Sequence, residues 1–305
     1  GKNMHLEAEN GYVKIISADF NKEASLNGFF NLMNKTNNIN VFIREIYSDK
    51  IISSANGSYE NNSGRSMISK IPLLNTDKIY INLKNDKLFI KKFIFTNNSG
   101  AVILSDNSLD FISIKGNYYN TPCVFDGGYN FSGKKLSAVF GSDNLKLIDI
   151  KNIYKGEYDI DGSGFINGKI IYKENLEVVC DIKAKNVNIK NHKIQKKVWG
   201  ILSSKKSEDF FDEADFKFEY KKDILYFNKL KLFSLSHNID VSGKYNMISD
   251  DYDFKINLTA GESFISEYIP NIAVIKFISL SNDYKYTAVN INETSGKFSY
   301  KFITQ

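Results

Sequence analysis

Enzymatic chemistry needs nucleophiles, bases or metal ligands at fixed spacings, and this chain offers few. Its three histidines, His5, His192 and His237, are far apart, and none falls in an HxxxH-type ligand spacing. Each reads as a surface or edge residue rather than a metal ligand or general base. Asp209, Asp212, Glu213 and Asp215 cluster as carboxylates must for acid–base work, but they run straight into the alternating segment Ala214–Tyr220. A solvated acidic turn accounts for them. Asp161-Gly162-Ser163-Gly164 has the composition of a calcium or phosphate loop but lacks the further acidic ligands. Strand-like sequence resumes at Phe165 and Ile166, so the segment reads as a hairpin turn. No GxSxG elbow, Walker loop or paired CxxC occurs. The sequence predicts no enzyme, no catalytic residue, no metal site and no cofactor. Cys123 and Cys180 read as buried free thiols, with a disulfide between them left open.

Composition narrows the partners. With 42% apolar and 14% aromatic residues, the 305-residue chain can build a substantial core. The net charge of +5 is spread over isolated pairs (Lys134-Lys135, Lys196-Lys197, Lys205-Lys206, Lys221-Lys222) without interleaved aromatics, which argues against a nucleic-acid partner. No apolar run is long enough to span a bilayer; the longest, Ile272 to Leu280, is broken by Lys276 and Ser279. The chain opens Gly1-Lys2-Asn3-Met4-His5 directly into strand-like sequence, so a fragment is expected, with any anchor or signal upstream.

The elements follow from periodicity. Tyr252, Phe254, Ile256, Leu258 and Ala260 alternate with Asp251, Asp253, Lys255, Asn257 and Thr259, giving one apolar and one polar face. The same alternation recurs at Ala214, Phe216, Phe218 and Tyr220, at Ile239, Val241 and Tyr245, at Ile79, Ile81 and Leu83, at Leu176, Val178, Cys180 and Ile182, and at Phe298, Tyr300 and Phe302. Asn10-Gly11, Asn56-Gly57, Asp126-Gly127-Gly128, Asp161-Gly162, Asn167-Gly168 and Ser249-Asp250-Asp251 supply turn signals, so an antiparallel meander is expected. Helical spacing predicts a helix near 22–34, on Leu26, Phe29, Phe30 and Met33, and a second near 192–204, on Ile194, Val198, Ile201 and Leu202. A third candidate, Glu262 to Tyr268, stops at Pro270. So few helices cannot cover so many strand faces. Either the sheet closes on itself, or it curls into a trough with an apolar lining.

The order of elements after residue 190 carries a resemblance. An amphipathic helix (Lys193 to Leu202) precedes Phe210-Phe211 and the strand Ala214–Tyr220. The strands Leu225–Leu232 and Ile239–Tyr245, the latter around Gly243, lead to Tyr252–Ala260 and then Ile269-Pro270-Asn271-Ile272. This resembles the C-terminal region of AsmA-like proteins, the large YhdP/TamB-type relatives among them. Residues 185–305 carry the likeness well and 1–60 loosely, the latter through Ser17-Ala18-Asp19-Phe20 and the segment Leu26–Met33. Lys221-Lys222-Asp223 departs from the family where a glycine is frequent. The resemblance implies an elongated, curled antiparallel β-sheet with two or three short capping helices, split into a segment 1–190 and a unit 191–305. It further implies a periplasmic protein, inner-membrane anchored through an upstream segment, whose hydrophobic groove carries phospholipid toward the outer membrane. Phe216, Phe218, Ile239, Val241, Phe254, Ile256 and Leu258 are then the lipid-groove candidates, with phospholipid acyl chains as the partner. A structural or adhesive β-sandwich with a closed core and no lipid ligand is the alternative.

Overall fold

The computed structural model describes residues 3–9, 12–20, 24–31, 36–47, 78–90, 93–151, 159–202, 204, 206, 208–269 and 278–303. Among these, alternating apolar residues form strands almost throughout, and the fold is mainly β with three short helices. The chain divides into two compact units, Gly1–Gly141 with Ile170–Lys173, and Ser142–Lys169 with Glu174–Gln305. The 190/191 boundary expected from sequence falls inside the second unit.

The first unit holds β1 (Asn3–Glu9), β2 (Tyr12–Phe20), β3 (Ala24–Asn31), β4 (Thr36–Tyr47), β5 (Lys78–Ile90), β6 (Phe93–Ser105), β7 (Ser108–Tyr118), β8 (Thr121–Asn130) and the start of β9 (Lys135–Lys146). Each strand pairs with its sequence neighbour, so the sheet is an open meander. Two sequence expectations are corrected here. The segment near 22–34 is not a helix: Ala24–Asn31 is strand β3, hydrogen-bonded between β2 and β4. The reason lies at Gly28, a poor helix former whose φ is +154°, and where an added Cβ would sit 2.3 Å from the Asn38 carbonyl oxygen. Nor is the sheet wholly antiparallel, because β4 and β5 run parallel, Ile39 opposite Ile81 and Val41 opposite Leu83. Residues 48–77 lie between them, enough chain for the crossover that a parallel neighbour requires.

The second unit contains the end of β9, then α1 (Leu147–Lys151), most of β10 (Asp159–Tyr172), β11 (Leu176–Lys190), α2 (Lys193–Ile201), β12 (Glu208–Lys221), β13 (Ile224–Phe233), β14 (His237–Asn246), β15 (Tyr252–Gly261), α3 (Glu262–Tyr268), β16 (Ile278–Ser279), β17 (Tyr284–Thr294) and β18 (Lys297–Phe302). From β11 to β18 the pairing is antiparallel throughout. The β12–β13 turn has Lys222 and Asp223 both at positive φ, 49° and 61°. That is the backbone of a two-residue hairpin turn whose twist suits the flanking strands. Aspartate tolerates it, and the Tyr220 hydroxyl donates to Asp223 Oδ1 at 2.7 Å, so glycine is not needed there.

Other glycines read as turn signals serve differently. Asp126-Gly127-Gly128 lies inside β8, and Asp161-Gly162, Ser163-Gly164 and Asn167-Gly168 lie inside β10. At Gly164 an added Cβ would sit 1.9 Å from the Lys183 carbonyl oxygen of β11. Glycine in these strands permits close backbone approach rather than reversal of the chain. Asn10-Gly11 and Asn56-Gly57 lie outside the described residues, whereas Ser249-Asp250-Asp251 does connect β14 to β15.

Candidate functional site

Register turns alternation into a surface. Across the second unit the inward positions align as Ile182, Phe216, Leu230, Val241, Ile256, Val289 and Phe302, one per strand from β11 to β15 and then β17 and β18. A neighbouring row reads Cys180, Phe218, Phe227, Gly243, Phe254, Ile291 and Tyr300. Residues two apart share a face, and on β13 a register irregularity between Phe227 and Leu230 keeps both on it, so the rows form one continuous apolar surface. The opposite face is charged and paired. Lys221 meets Glu177 at 2.7 Å and Lys217 meets Asp181 at 3.1 Å across β11–β12. Lys231 lies 3.6 Å from Asp240, and Lys229 contacts Asp215. The sheet is solvated on one side and apolar on the other.

Gly243 shows how tightly the apolar face is fitted. It takes φ +142°, and an added Cβ would lie 2.1 Å from the Asp253 carbonyl oxygen and 2.8 Å from the Phe254 ring. The Phe227 and Phe254 rings, its register partners on either side, meet edge-on with centroids 5.4 Å apart. The missing side chain is the space those rings share.

Two helices cover part of this surface. α2 places Ile194, Val198, Ile201 and Leu202 in a core with Tyr252, Phe254, Ile256, Leu258, Val289 and Ile291, as its helical stripe predicts. α3 adds Phe264 and Ile265, and Ile269 follows it into the same core. The seven groove candidates therefore divide. Phe254, Ile256 and Leu258 are only 3%, 3% and 4% exposed and belong to a sealed core rather than an open trough. Ile239 and Val241 are half-buried at its margin. Phe216 and Phe218, with Leu230 between β12 and β14, are also half-buried and lie outside that core. α2 is fixed to the sheet by charge as well: Lys197 and Lys193 both reach Glu293 of β17, the latter at 3.5 Å. The Lys197 ammonium holds the Glu293 carboxyl below the usual range.

Beside this core lies a buried polar cluster that overturns two expectations. His237, read as a surface or edge residue, is 2% exposed, and Asp209, read as part of a solvated acidic turn, is equally buried on β12. Asp209 Oδ2 accepts hydrogen bonds from Trp199 Nε1 and Gln195 Nε2 of α2, both at 2.6 Å. Its Oδ1 lies 2.9 Å from Lys206 Nζ and 3.5 Å from His237 Nε2. Burial alone would raise the Asp209 pKa, but the neighbouring His237 imidazole, the Lys206 ammonium and the Trp199 N–H outweigh it and push it down to about 2. Burial lowers the His237 pKa, and the nearby Lys206 charge adds to that, against the pull of Asp209. On its other side, His237 Nδ1 lies 3.0 Å from Ser234 Oγ and 2.9 Å from Ser236 Oγ, at the β13–β14 turn. The order Asp–His–Ser is that of a nucleophile relay, but Ser234 is committed to the turn, donating to the His237 carbonyl at 2.7 Å and accepting from its N–H at 3.1 Å. The cluster ties α2, β12 and β14 together. Strand parity gave a signal for it: His237 shares its face with Ile239 and Val241, and Asp209 shares its face with Phe211. A charged residue at an inward position implies a buried partner.

Asp212 and Glu213 are exposed, but they lie with Asp215 on strand β12 rather than in a turn. Cys123 and Cys180 are both free thiols and both buried. Burial, with Asp181 adding to it, pushes the Cys180 thiol up to about 12, which leaves it unreactive. Among the described residues no His, Cys, Asp or Glu group is arranged to hold a metal ion, and no helix is long and apolar enough to cross a membrane.

Together these features define a mainly β protein whose second unit presents a sheet with one charged face and one apolar face partly covered by helices. No protein-family model matches the chain, and no curated protein matches it.

Proposed function

We propose that this chain is a non-catalytic lipid-binding segment whose apolar sheet face receives phospholipid acyl chains. The observation that carries the reading is the apolar row from Ile182 to Phe302, only part of which the helices cover. Phe216, Phe218 and Leu230 are the half-buried members beyond the helical core, so the receiving strip is centred on β12–β13. A methylene buried there contributes about 0.8 kcal/mol, so a few contacts hold an acyl chain without any polar anchor. The salt-bridged opposite face suits water, which leaves the lipid only one side to occupy. The likeness to AsmA-like proteins supports placing this activity in the periplasm, with the segment tethered to the inner membrane from upstream and passing phospholipid toward the outer membrane.

Native mass spectrometry of the chain purified without detergent tests the reading. Co-purifying phospholipid that photo-crosslinks to a probe at Phe218 supports it, and a ligand-free mass across independent preparations overturns it. A second reading, a structural protein with a closed core, is favoured by one observation: α2 and α3 already seal Phe254, Ile256 and Leu258. It predicts that ligand-free mass.

A further inference from the structure

Lys206 occupies an unusual position for a lysine. Its side chain is only 13% exposed, and its ammonium lies 4.6 Å from the centre of the Phe264 ring, 5.3 Å from that of Tyr268 and 5.5 Å from that of Trp199. Asp209 Oδ1 closes a further side at 2.9 Å, and His237 Nε2 lies at 3.4 Å. Three aromatic faces and a carboxylate form a box whose electrostatics favour an alkylammonium ion. Its walls are braced: Phe264 stacks on His237 at 4.2 Å, meets Tyr268 at 5.0 Å and faces Trp199 at 6.0 Å, while Asp209 is held by Gln195 and Trp199. The cation belongs to neither a helix nor a strand, since Lys206 stands between the end of α2 and the start of β12. Rotation of one side chain would vacate the box without breaking any sheet or helix hydrogen bond. Trp199, Phe264 and Tyr268 pack in the same core as Phe254, Ile256 and Leu258, and the half-buried Phe227, Ile239 and Val241 at the margin of that core lead to the uncovered part of the apolar face.

We propose that the box of Trp199, Phe264, Tyr268 and Asp209 is a binding site for the ammonium group of an amine-headgroup lipid, filled in the free protein by Lys206. Exchange of one ammonium for another leaves the Asp209 charge paired throughout, which is what makes exchange at a buried carboxylate affordable. The lipid as occupant rests on the function proposed above; the box as an alkylammonium site does not. Lys206 then acts as an internal competitor that lowers affinity for free amines and leaves the site to ligands whose acyl chains add contacts on the apolar face.

The chain's single tryptophan is a wall of the box, so its emission reports occupancy directly. The wild-type protein is titrated with vesicles of phosphatidylethanolamine and of phosphatidylglycerol with identical acyl chains, and Lys206→Met with tetramethylammonium chloride. The expected results are an affinity about tenfold higher for the ethanolamine lipid, and tetramethylammonium binding to Lys206→Met about tenfold tighter than to the wild type, the size of one desolvated cation–π contact. Equal affinity for the two lipids overturns the headgroup assignment. If Lys206→Met fails to fold, Phe264→Leu replaces it: retained ethanolamine preference in that variant overturns the box, and loss of the preference with acyl binding intact supports it. Binding of neither lipid, with tetramethylammonium still selecting the Lys206→Met box, supports the ammonium site while sinking the lipid function.

Discussion

Ile256 offers the sharpest test of where the apolar face is sealed. Its side chain is 3% exposed, stands between Val241 and Val289 in register, and has Phe254 and Leu258 as same-face neighbours on β15. Ile256→Ala should cost about 2–5 kcal/mol through lost burial and the cavity left behind. Ile256→Asp adds the problem of a carboxylate without a partner. If burial raises that carboxyl by roughly three pH units, keeping it ionised at neutral pH costs about 4 kcal/mol more. The combined loss of roughly 6–9 kcal/mol rivals the whole stability of an ordinary domain, about 5–15 kcal/mol. Phe218→Asp, at a half-buried site that water reaches, should cost only about 1–2 kcal/mol. Denaturant titrations followed by Trp199 emission and far-ultraviolet circular dichroism measure all three. The Ile256→Asp deficit should shrink toward that of Ile256→Ala as the pH falls and the new carboxyl protonates. A folded Ile256→Asp protein within about 1 kcal/mol of wild type would refute the sealed core and extend the open face to β15.

Three further outcomes follow from the same geometry. Stability should fall as the pH drops below about 6.5, because burial keeps His237 neutral in the fold while the unfolded chain takes up a proton; His237→Gln should flatten that part of the curve, and an unchanged slope between pH 7 and 5 would argue against a buried neutral imidazole. Asp209 then contributes about 2 kcal/mol that is present above its ordinary value of 3.8 and lost as the pH falls toward about 2, so in Asp209→Asn the acid limb below pH 4 should be shallower; a limb as steep as wild type would exclude a depressed Asp209. Gly243→Ala should destabilise the second unit by about 1–3 kcal/mol, since the new methyl meets the Asp253 carbonyl and the Phe254 ring; a melting temperature equal to wild type would contradict that contact.

How much of this was readable in advance depended on whether a residue's role is set by its own strand or by its neighbour's. β15 was legible because its burial repeats the Tyr252–Ala260 alternation, inward position after inward position. α2 was legible because Ile194, Val198, Ile201 and Leu202 follow the helical period and meet an apolar surface at that period. Leu26, Phe29 and Phe30 follow a helical spacing too, yet the close approach of β4 at Gly28 turns the segment into a strand, and only the partner reveals it. The parallel β4–β5 pair is likewise a property of which strands meet, and no local pattern encodes it. Asp209 and His237 sit 28 positions apart in sequence and are joined through Lys206 and Trp199, which a search for catalytic spacings along one segment does not connect.

The covered and uncovered parts of the apolar face are best understood together. α2 and α3 are short, nine and seven residues, and cover mainly the β15–β17 region. α2 is tied to Glu293 of β17 by Lys197 and Lys193 and to Asp209 of β12 by Trp199 and Gln195, and α3 is tied to β17 by Lys285 on Glu262, contacts that would be costly to remake elsewhere. Had the helices served only to close a core, the largest half-buried side chains would be the ones to cover first. Instead Phe216, Phe218 and Leu230 stay half-buried while Ala260, with little to gain, is fully enclosed. The cover leaves the β12–β13 stretch of the apolar row half-buried, between the buried Cys180 and Ile182 of β11 and the helical core, and the caged Lys206 ammonium stands among the residues that form that cover. An amphiphile approaching the strip on β12–β13 would thus meet apolar side chains in register and, at the cover, a box already shaped around a cation.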